Sequence, residues 1–296
     1  MRDIPKVFTS PLQYVGGKYW AVRHILEWIP AGTTELVSPF FGGGCLDLNL
    51  AHYFGMQIDG SDKDAHLVNF WQHFLVDASG LVGRCKQILE THTREDLKAL
   101  KAGFDEIPDA ADRAAYYYVL NRLSFNGKAS DRSYVNHFWK EGDTWWRRDR
   151  RRDSGWTAAS FFGAYPSPFY LLYETYRSLS IELATADFET ALRAKPGVLA
   201  YCDPPYPNTE TLYSEGDGFD HDGLYRVLVE RELWILSYQD VPKIRELYRD
   251  FHMMELERTG SFRKGGKCKK QKELLICSDA VSAQLPSQSV QLEFGW

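Results

Sequence analysis

The apolar run Gly197-Val-Leu-Ala-Tyr-Cys202 stops abruptly at Asp203-Pro-Pro-Tyr206. A run that short and that apolar, cut off by an acid, two prolines and an aromatic ring, predicts a buried strand that delivers a carboxylate to its C-terminal mouth. In an open α/β sheet that mouth is where ligands bind. The two prolines fix φ and contribute no backbone N–H, so the corner is stiff, poor in donors and able to point carbonyls at a guest. A guest that donates hydrogen bonds, such as an amine, suits it.

Methyl transfer to the exocyclic amine of a nucleobase fits this corner. The lone pair of that nitrogen is delocalised into the ring, which makes it a poor nucleophile. Acceptors on its two N–H groups, here the Asp203 carboxylate and the Pro204 carbonyl, favour a pyramidal nitrogen. They also stabilise the positive charge that grows as it attacks a methylsulfonium. Tyr206 then serves as a stacking plate for the base. Asp-Pro alone is an ordinary turn; Asp-Pro-Pro-Tyr directly after an apolar strand carries the functional reading.

Two stretches nearer the N-terminus point to a nucleotide-like cofactor. Thr34–Leu50 reads as a strand, the turn Phe40-Phe-Gly-Gly-Gly44 and a helix, which is the first half of a βαβ unit, although the turn lacks the Gly-x-Gly-x-x-Gly fingerprint. Met56-Gln-Ile-Asp-Gly-Ser-Asp62 is a second strand that ends in an acid about twenty residues beyond the glycines, where a carboxylate can hold ribose hydroxyls. No Gly-Lys-Ser/Thr follows a glycine turn, so an adenosine-containing cofactor without phosphates is expected. Ahead of both lies Tyr14-Val-Gly-Gly-Lys18, a loop before a helical pattern at Tyr19–Ile29, where backbone N–H groups and Lys18 can meet a carboxylate.

The section from about residue 65 to 180 has a different character. Helical patterns are expected at Ala65–Leu75, Leu81–Ala102 and Ala110–Leu123; the last runs into Asn121-Arg-Leu-Ser-Phe-Asn-Gly-Lys128, whose Asn-Gly marks a turn. Arg132, the pair Trp145-Trp146 and a run in which five of the six residues 147–152 are arginine follow. Basic and aromatic residues interleaved in loops suit the backbone and bases of a nucleic acid. Beyond this section, strands are expected at Ser180–Asp187, Arg231–Tyr238, His252–Thr259 and Glu273–Ser278, the last two as a hairpin, with helices near His221–Val229 and Val241–Asp250.

Composition narrows the alternatives. A chain of 296 residues, 44% hydrophobic, can bury a substantial core in one large or two modest domains. The net charge of −5 argues against indiscriminate coating of nucleic acid, yet the segment 258–272 carries seven basic residues and no acidic one. Five cysteines without a Cys-x-x-Cys pair and eight histidines without metal spacing indicate neither a disulfide framework nor a metal site. No signal core or membrane-length apolar run is present, and a reducing cytoplasm is the expected compartment. Cytosine-C5 methylation needs a cysteine nucleophile displayed after a proline, and none of the five follows one. Base deamination lacks its His-x-Glu and Cys pair.

In order along the chain, Tyr14-Val-Gly-Gly-Lys18, Pro39-Phe-Phe-Gly-Gly-Gly44, Asp62, Asn121-Arg-Leu-Ser-Phe-Asn-Gly127, Asp187-Phe188, Asp203-Pro-Pro-Tyr206 and Leu236-Ser-Tyr238 resemble the Dam-type DNA N6-adenine methyltransferases. The resemblance spans nearly the whole chain. It implies an α/β fold: a Rossmann-like S-adenosylmethionine-dependent methyltransferase sheet built from residues 1–64 and 181–296, with residues 65–180 as an inserted, mainly helical target-recognition domain. It implies S-adenosylmethionine in a pocket lined by Tyr14, Gly16, Gly17, Lys18, Phe40, Gly42, Gly43, Gly44, Asp62, Asp187, Phe188 and Asp203. Asp203, Pro204, Pro205 and Tyr206 would be the catalytic corner, and Arg122, Phe125, Asn126, Lys128 and Arg132 would lie at double-stranded DNA, with no metal or membrane involved. Ser130 stands where relatives that read Gly-Ala-Thr-Cys carry an arginine, so that site does not transfer. Cytosine-N4 methylation and a catalytically silent DNA-binding relative are the alternatives. The sequence leaves open the oligomeric state and whether the protein is solitary, restriction-linked or phage-encoded. If the basic stretches carry DNA contact, affinity falls steeply with salt through counterion release. Neutralising Arg147, Arg148, Arg150, Arg151 and Arg152 flattens that dependence in a filter-binding titration; an unchanged slope assigns the run to solvated surface.

Overall fold

The computed structural model describes residues 4–14, 16–100, 104–124, 138–147, 154–156, 179–207, 218–259 and 270–285. Seven strands form one sheet: β1 (Glu35–Ser38), β2 (Gln57–Asp62), β6 (Ile181–Thr185), β7 (Leu199–Cys202), β8 (Trp234–Gln239), β9 (His252–Thr259) and β10 (Lys270–Cys277), in the order β6-β2-β1-β7-β8-β10-β9. β10 alone runs antiparallel to its neighbours; the other adjacent pairs are parallel. The chain winds outward from β1 to β2 and β6, then returns to lay β7 on the other side of β1, with Leu36 opposite Leu199. That reversal separates the loops after β1 and β7 and opens a crevice between them.

Side chains alternate along the central strands, and each parity feeds its own apolar cluster. Leu36, Leu199, Tyr201, Ile235 and Leu275 pack on one face, whereas Val37, Ala200, Cys202, Leu236 and Leu274 pack on the other. Both faces are covered, so β7 is buried at every position and reads as a continuous apolar run. The first face is covered by α1 (Val22–Trp28), α2 (Cys45–Phe54), α3 (Ala65–Thr91) and α5 (Ala110–Leu123). The second is covered by α6 (Phe188–Ala194), α7 (His221–Val229) and α8 (Pro242–Leu247). The core therefore continues through residue 65 without a break, and the helices of 65–123 are part of the layer over the sheet.

Two helices expected in that section are joined, and one is cut. α3 runs through a kink at Asp77 (φ −148°, ψ 73°), whose carboxylate accepts from Gly80 N at 2.9 Å and so caps the second half. The expected helix 81–102 ends at Thr91. Thr93 and Asp96 bond reciprocally (Thr93 N to Asp96 Oδ2, 2.8 Å; Asp96 N to Thr93 Oγ1, 3.2 Å), a capping box that starts α4 (Arg94–Leu100). Residues 138–156 include a three-stranded antiparallel sheet, β3 (Phe138–Glu141), β4 (Thr144–Arg147) and β5 (Ser154–Trp156). Trp145, expected among the nucleic-acid contacts, is instead fully buried and donates from Nε1 to Leu89 O at 2.9 Å. Lys140 caps the same helix end through Leu89 O and His92 O, both at 3.0 Å. Helix α9 (Asp279–Ser282) closes the described chain.

Two buried asparagines fasten the N-terminal segment to this frame. Asn49 of α2 accepts from Phe8 N at 2.8 Å and donates to Phe8 O at 3.0 Å; Asn121 of α5 does the same with Gln13 N and O, both at 2.9 Å. Each amide imitates a backbone partner, so an irregular segment keeps its main-chain groups satisfied. Because Gln13 immediately precedes the Tyr14–Lys18 loop, the second clip sets where that loop enters the crevice. Asn121→Leu removes both bonds to the Gln13 backbone and is expected to cost about 1–3 kcal/mol, read as a lower urea midpoint with an unchanged slope.

Candidate functional site

The carboxyl ends of β1, β2 and β7 converge on the crevice. After β1 the chain turns sharply through Gly42 (φ +50°) and Gly44 (φ +62°) into α2. A Cβ on Gly42 would lie 2.8 Å from the Tyr14 ring, and one on Gly44 would lie 2.6 Å from the Phe41 ring, so only glycine fits either position. Trp71 Nε1 donates to Gly42 O at 2.9 Å and holds the turn from behind. Gly16 (φ +82°) and Gly17 bring the Tyr14–Lys18 loop against the same turn, and Gly17 N donates back to Tyr14 O at 3.4 Å.

Asp62 ends β2 and accepts from Gly42 N at 2.9 Å through Oδ2 and from Asp64 N at 3.0 Å through Oδ1. The acid expected about twenty residues after the glycines is thus tied directly to them. Burial pushes its carboxyl up to about 6, with the two backbone donors opposing the rise. Asp187 sits at the end of β6, exposed, where Oδ1 accepts from Thr190 N at 2.8 Å and Oδ2 from Thr190 Oγ1 at 3.0 Å to cap α6. Those bonds hold its carboxyl below the usual range. The next residue, Phe188, stacks with Phe40 at 5.9 Å between centroids, and both meet Phe219, which the sequence reading did not select.

Asp203 lies directly past β7. Its Oδ1 accepts from Lys18 Nζ at 2.8 Å and from Ser237 Oγ at 3.0 Å, and Ser237 Oγ is in turn 3.0 Å from Tyr201 OH. Because the Ser237 hydroxyl proton goes to Asp203, the Tyr201 hydroxyl donates to Ser237, and the strand-borne hydroxyls form a relay that orients the carboxylate. Lys18, expected to meet a cofactor carboxylate, is committed here to Asp203 and to Gly16 O at 3.1 Å. Its ammonium also lies 4.7 Å from the centre of the Tyr206 ring. Pro204 is buried and Pro205 and Tyr206 are half-buried. Burial first, then the charges of Asp203 and Glu273, keeps the Tyr206 hydroxyl protonated far above the ordinary phenol range. It donates to Glu273 Oε2 at 2.8 Å.

The structure therefore brings Tyr14, Lys18, Gly42–Gly44, Asp62 and Asp203–Tyr206 together around one crevice, with the Phe40–Phe188 stack formed by the loops after β1 and β6. Arg122 occupies the last turn of α5, half-buried. Phe125, Asn126, Lys128, Ser130 and Arg132 lie outside the described residues, as do Arg148 and Arg150–Arg152. Among the described residues no group of three or more histidine, cysteine or acidic side chains could hold a metal ion, and no helix is long and apolar enough to cross a membrane.

Residues 14–262 match the family model of the D12 class N6 adenine-specific DNA methyltransferases. The chain belongs to that family. Similar relatives include the DNA adenine methylase of Vibrio cholerae serotype O1, 25% identical over 92% of this chain and 97% of the relative. The DNA adenine methylase of Escherichia coli K12 is 26% identical over 89% and 93%. A type II methyltransferase of Lactococcus lactis subsp. cremoris is 24% identical over 83% and 87%. The chain is accordingly a DNA adenine methyltransferase that acts with a methyl donor.

The reading of strand ends passed over two acids, Glu273 and Asp47. Asp47 lies in the first turn of α2, fully buried, with Oδ1 lacking any hydrogen-bond partner. Burial pushes its carboxyl up to about 6, Ser38 opposes the rise, and the Asp203 charge adds to it. An acid inside Leu46-Asp-Leu-Asn-Leu50 was the available signal. Its folded value lies above the ordinary 3.8, so its contribution to stability is present below that value and is lost as pH rises through about 6. Asp47→Asn removes the ionisation while keeping the shape. The melting temperature of the variant relative to the native protein should climb between about pH 4 and about pH 7 and level off above; a difference independent of pH would remove Asp47 from the titration.

Proposed function

We propose that the methyl donor is S-adenosylmethionine, held across the β1–β7 crevice, and that the acceptor is the N6 amine of an adenine turned out of double-stranded DNA into the Asp203–Tyr206 corner. The observation that supports this reading most is the placement of Asp203 beside the glycine turn and Asp62 at the reversal of strand order. The residues present fit the donor. The glycine turn admits close backbone approach, Asp62 offers a buried carboxylate for ribose hydroxyls, and Tyr14, Gly16, Gly17, Lys18, Phe40, Gly42, Gly43, Gly44, Asp187 and Phe188 line its approach. Asp62 places a carboxylate beside a cation-bearing donor, whose sulfonium supplies an electrophilic methyl group.

Asp203 accepts a proton-bearing face of the amine and the Pro204 carbonyl takes the second N–H, which stabilises charge that appears on nitrogen only as the bond forms. Ser237 and Tyr201 keep the carboxylate oriented for this, and Pro205 stiffens the corner. An adenine stacked in a duplex cannot reach it, so the base is extruded, at a cost of about a few kcal/mol that stacking on Tyr206 offsets in part. Recognition falls to residues 65–180, in which Arg122, Phe125, Asn126, Lys128 and Arg132 meet the DNA; the helices up to Leu123 double as cover for the sheet.

Asp203 and Tyr206 are expected to fail differently. Asp203→Ala abolishes turnover while leaving cofactor and DNA binding largely in place, since it removes an acceptor used in the transition state. Tyr206→Ala loses the fluorescence rise of 2-aminopurine at the target position, and Tyr206→Phe retains part of it because the ring survives. An Asp203→Ala protein that methylates adenine N6 at a near-native rate sinks the proposal.

A further inference from the structure

Oδ1 of Asp203 already holds Lys18 and Ser237, so an amine that takes this oxygen displaces Lys18 from it. Lys18 is only 5% exposed, and a buried ammonium cannot give up its carboxylate without another. A second one is within reach. Oε2 of Glu273 lies 3.7 Å from Lys18 Nζ, and Glu273 is itself only 7% exposed. It reaches the crevice because β10 runs against β8 and pairs Glu273 with Gln239, which places the start of β10 beside the end of β8. The same oxygen accepts the Tyr206 hydroxyl at 2.8 Å.

We propose that Glu273 is a positioning residue with two tasks: it receives Lys18 when the target amine takes Asp203, and it anchors the hydroxyl of the ring on which the base stacks. The exchange moves no proton and breaks no covalent bond. Lys18 closes from 3.7 Å to hydrogen-bond distance of Glu273, freeing Asp203 Oδ1 for the N–H of the amine. The ammonium stays paired throughout, and the Tyr206 ring, which it already faces, travels with neither partner. This inference rests on Asp203 acting as acceptor for the amine.

Glu273→Gln separates the tasks, because the amide oxygen still accepts from Tyr206 while the charge that receives Lys18 is gone. Single-turnover methylation at saturating donor and DNA should slow about tenfold or more, with donor affinity and 2-aminopurine fluorescence close to native. The loss should shrink sharply in a Lys18→Met background, since no cation is left to be received; a double-mutant cycle reads this coupling. Glu273→Asp, which keeps the charge, should recover part of the rate. A native rate for Glu273→Gln, or an equal loss with and without Lys18, overturns the proposal. Should Glu273→Gln melt early, the Glu273→Asp and Lys18→Met cycle decides the matter on the same criterion. Asp203→Ala measured alongside separates the two levels: activity there defeats the underlying chemistry, whereas a dead Asp203→Ala beside a native-rate Glu273→Gln defeats this inference alone.

Discussion

A buried ion pair, Lys18 Nζ to Asp203 Oδ1 at 2.8 Å, ties the N-terminal loop to the end of β7. Taking both charges out of water offsets much of their attraction, so the pair contributes little net stability, and its value is positional. It fixes where the loop carrying Tyr14 lies, and the Tyr14 ring in turn sets the space above Gly42. The same pair, with Ser237, holds the Asp203 carboxylate in one orientation.

Apart from the Lys18 bond to Gly16 O, what holds this pair in place is long-range. Asn121 clips Gln13 from 108 residues away, Ser237 reaches Asp203 from the neighbouring strand, and Trp71 secures the glycine turn from α3. The helices of 65–123 therefore do two jobs. They seal one face of the sheet, and through Asn121 they connect the end of α5, where the segment read as DNA-contacting begins, to the loop that carries Lys18.

Two buried acids belong to the elements that frame the crevice. Asp62 ends β2 and Asp47 lies in the first turn of α2, both with carboxyls pushed up to about 6, chiefly by burial. Such groups cost the folded state stability at neutral pH, where their ionised form is held away from water.

The strands, the acids at their mouths and the glycine turn were legible in the sequence because each is a local consequence of burial. A strand covered on both faces reads as an apolar run, and it ends where the chain turns off the sheet at an acid, as at Asp62 and Asp203. The family motifs likewise appear in chain order and need no geometry to be seen. What the sequence could not decide was pairing across the fold. Glu273 looked like an ordinary strand residue because acids were sought where strands end, and β10 runs the other way, bringing its beginning to the crevice. Trp145 looked like a nucleic-acid contact because its neighbours are basic, yet it is buried against the end of α3. Lys18 met Asp203 rather than a free carboxylate group only once β7 lay beside β1. Periodicity and motif record which face a residue turns inward; which partner waits there depends on strand order and direction, and those exist only in the folded chain.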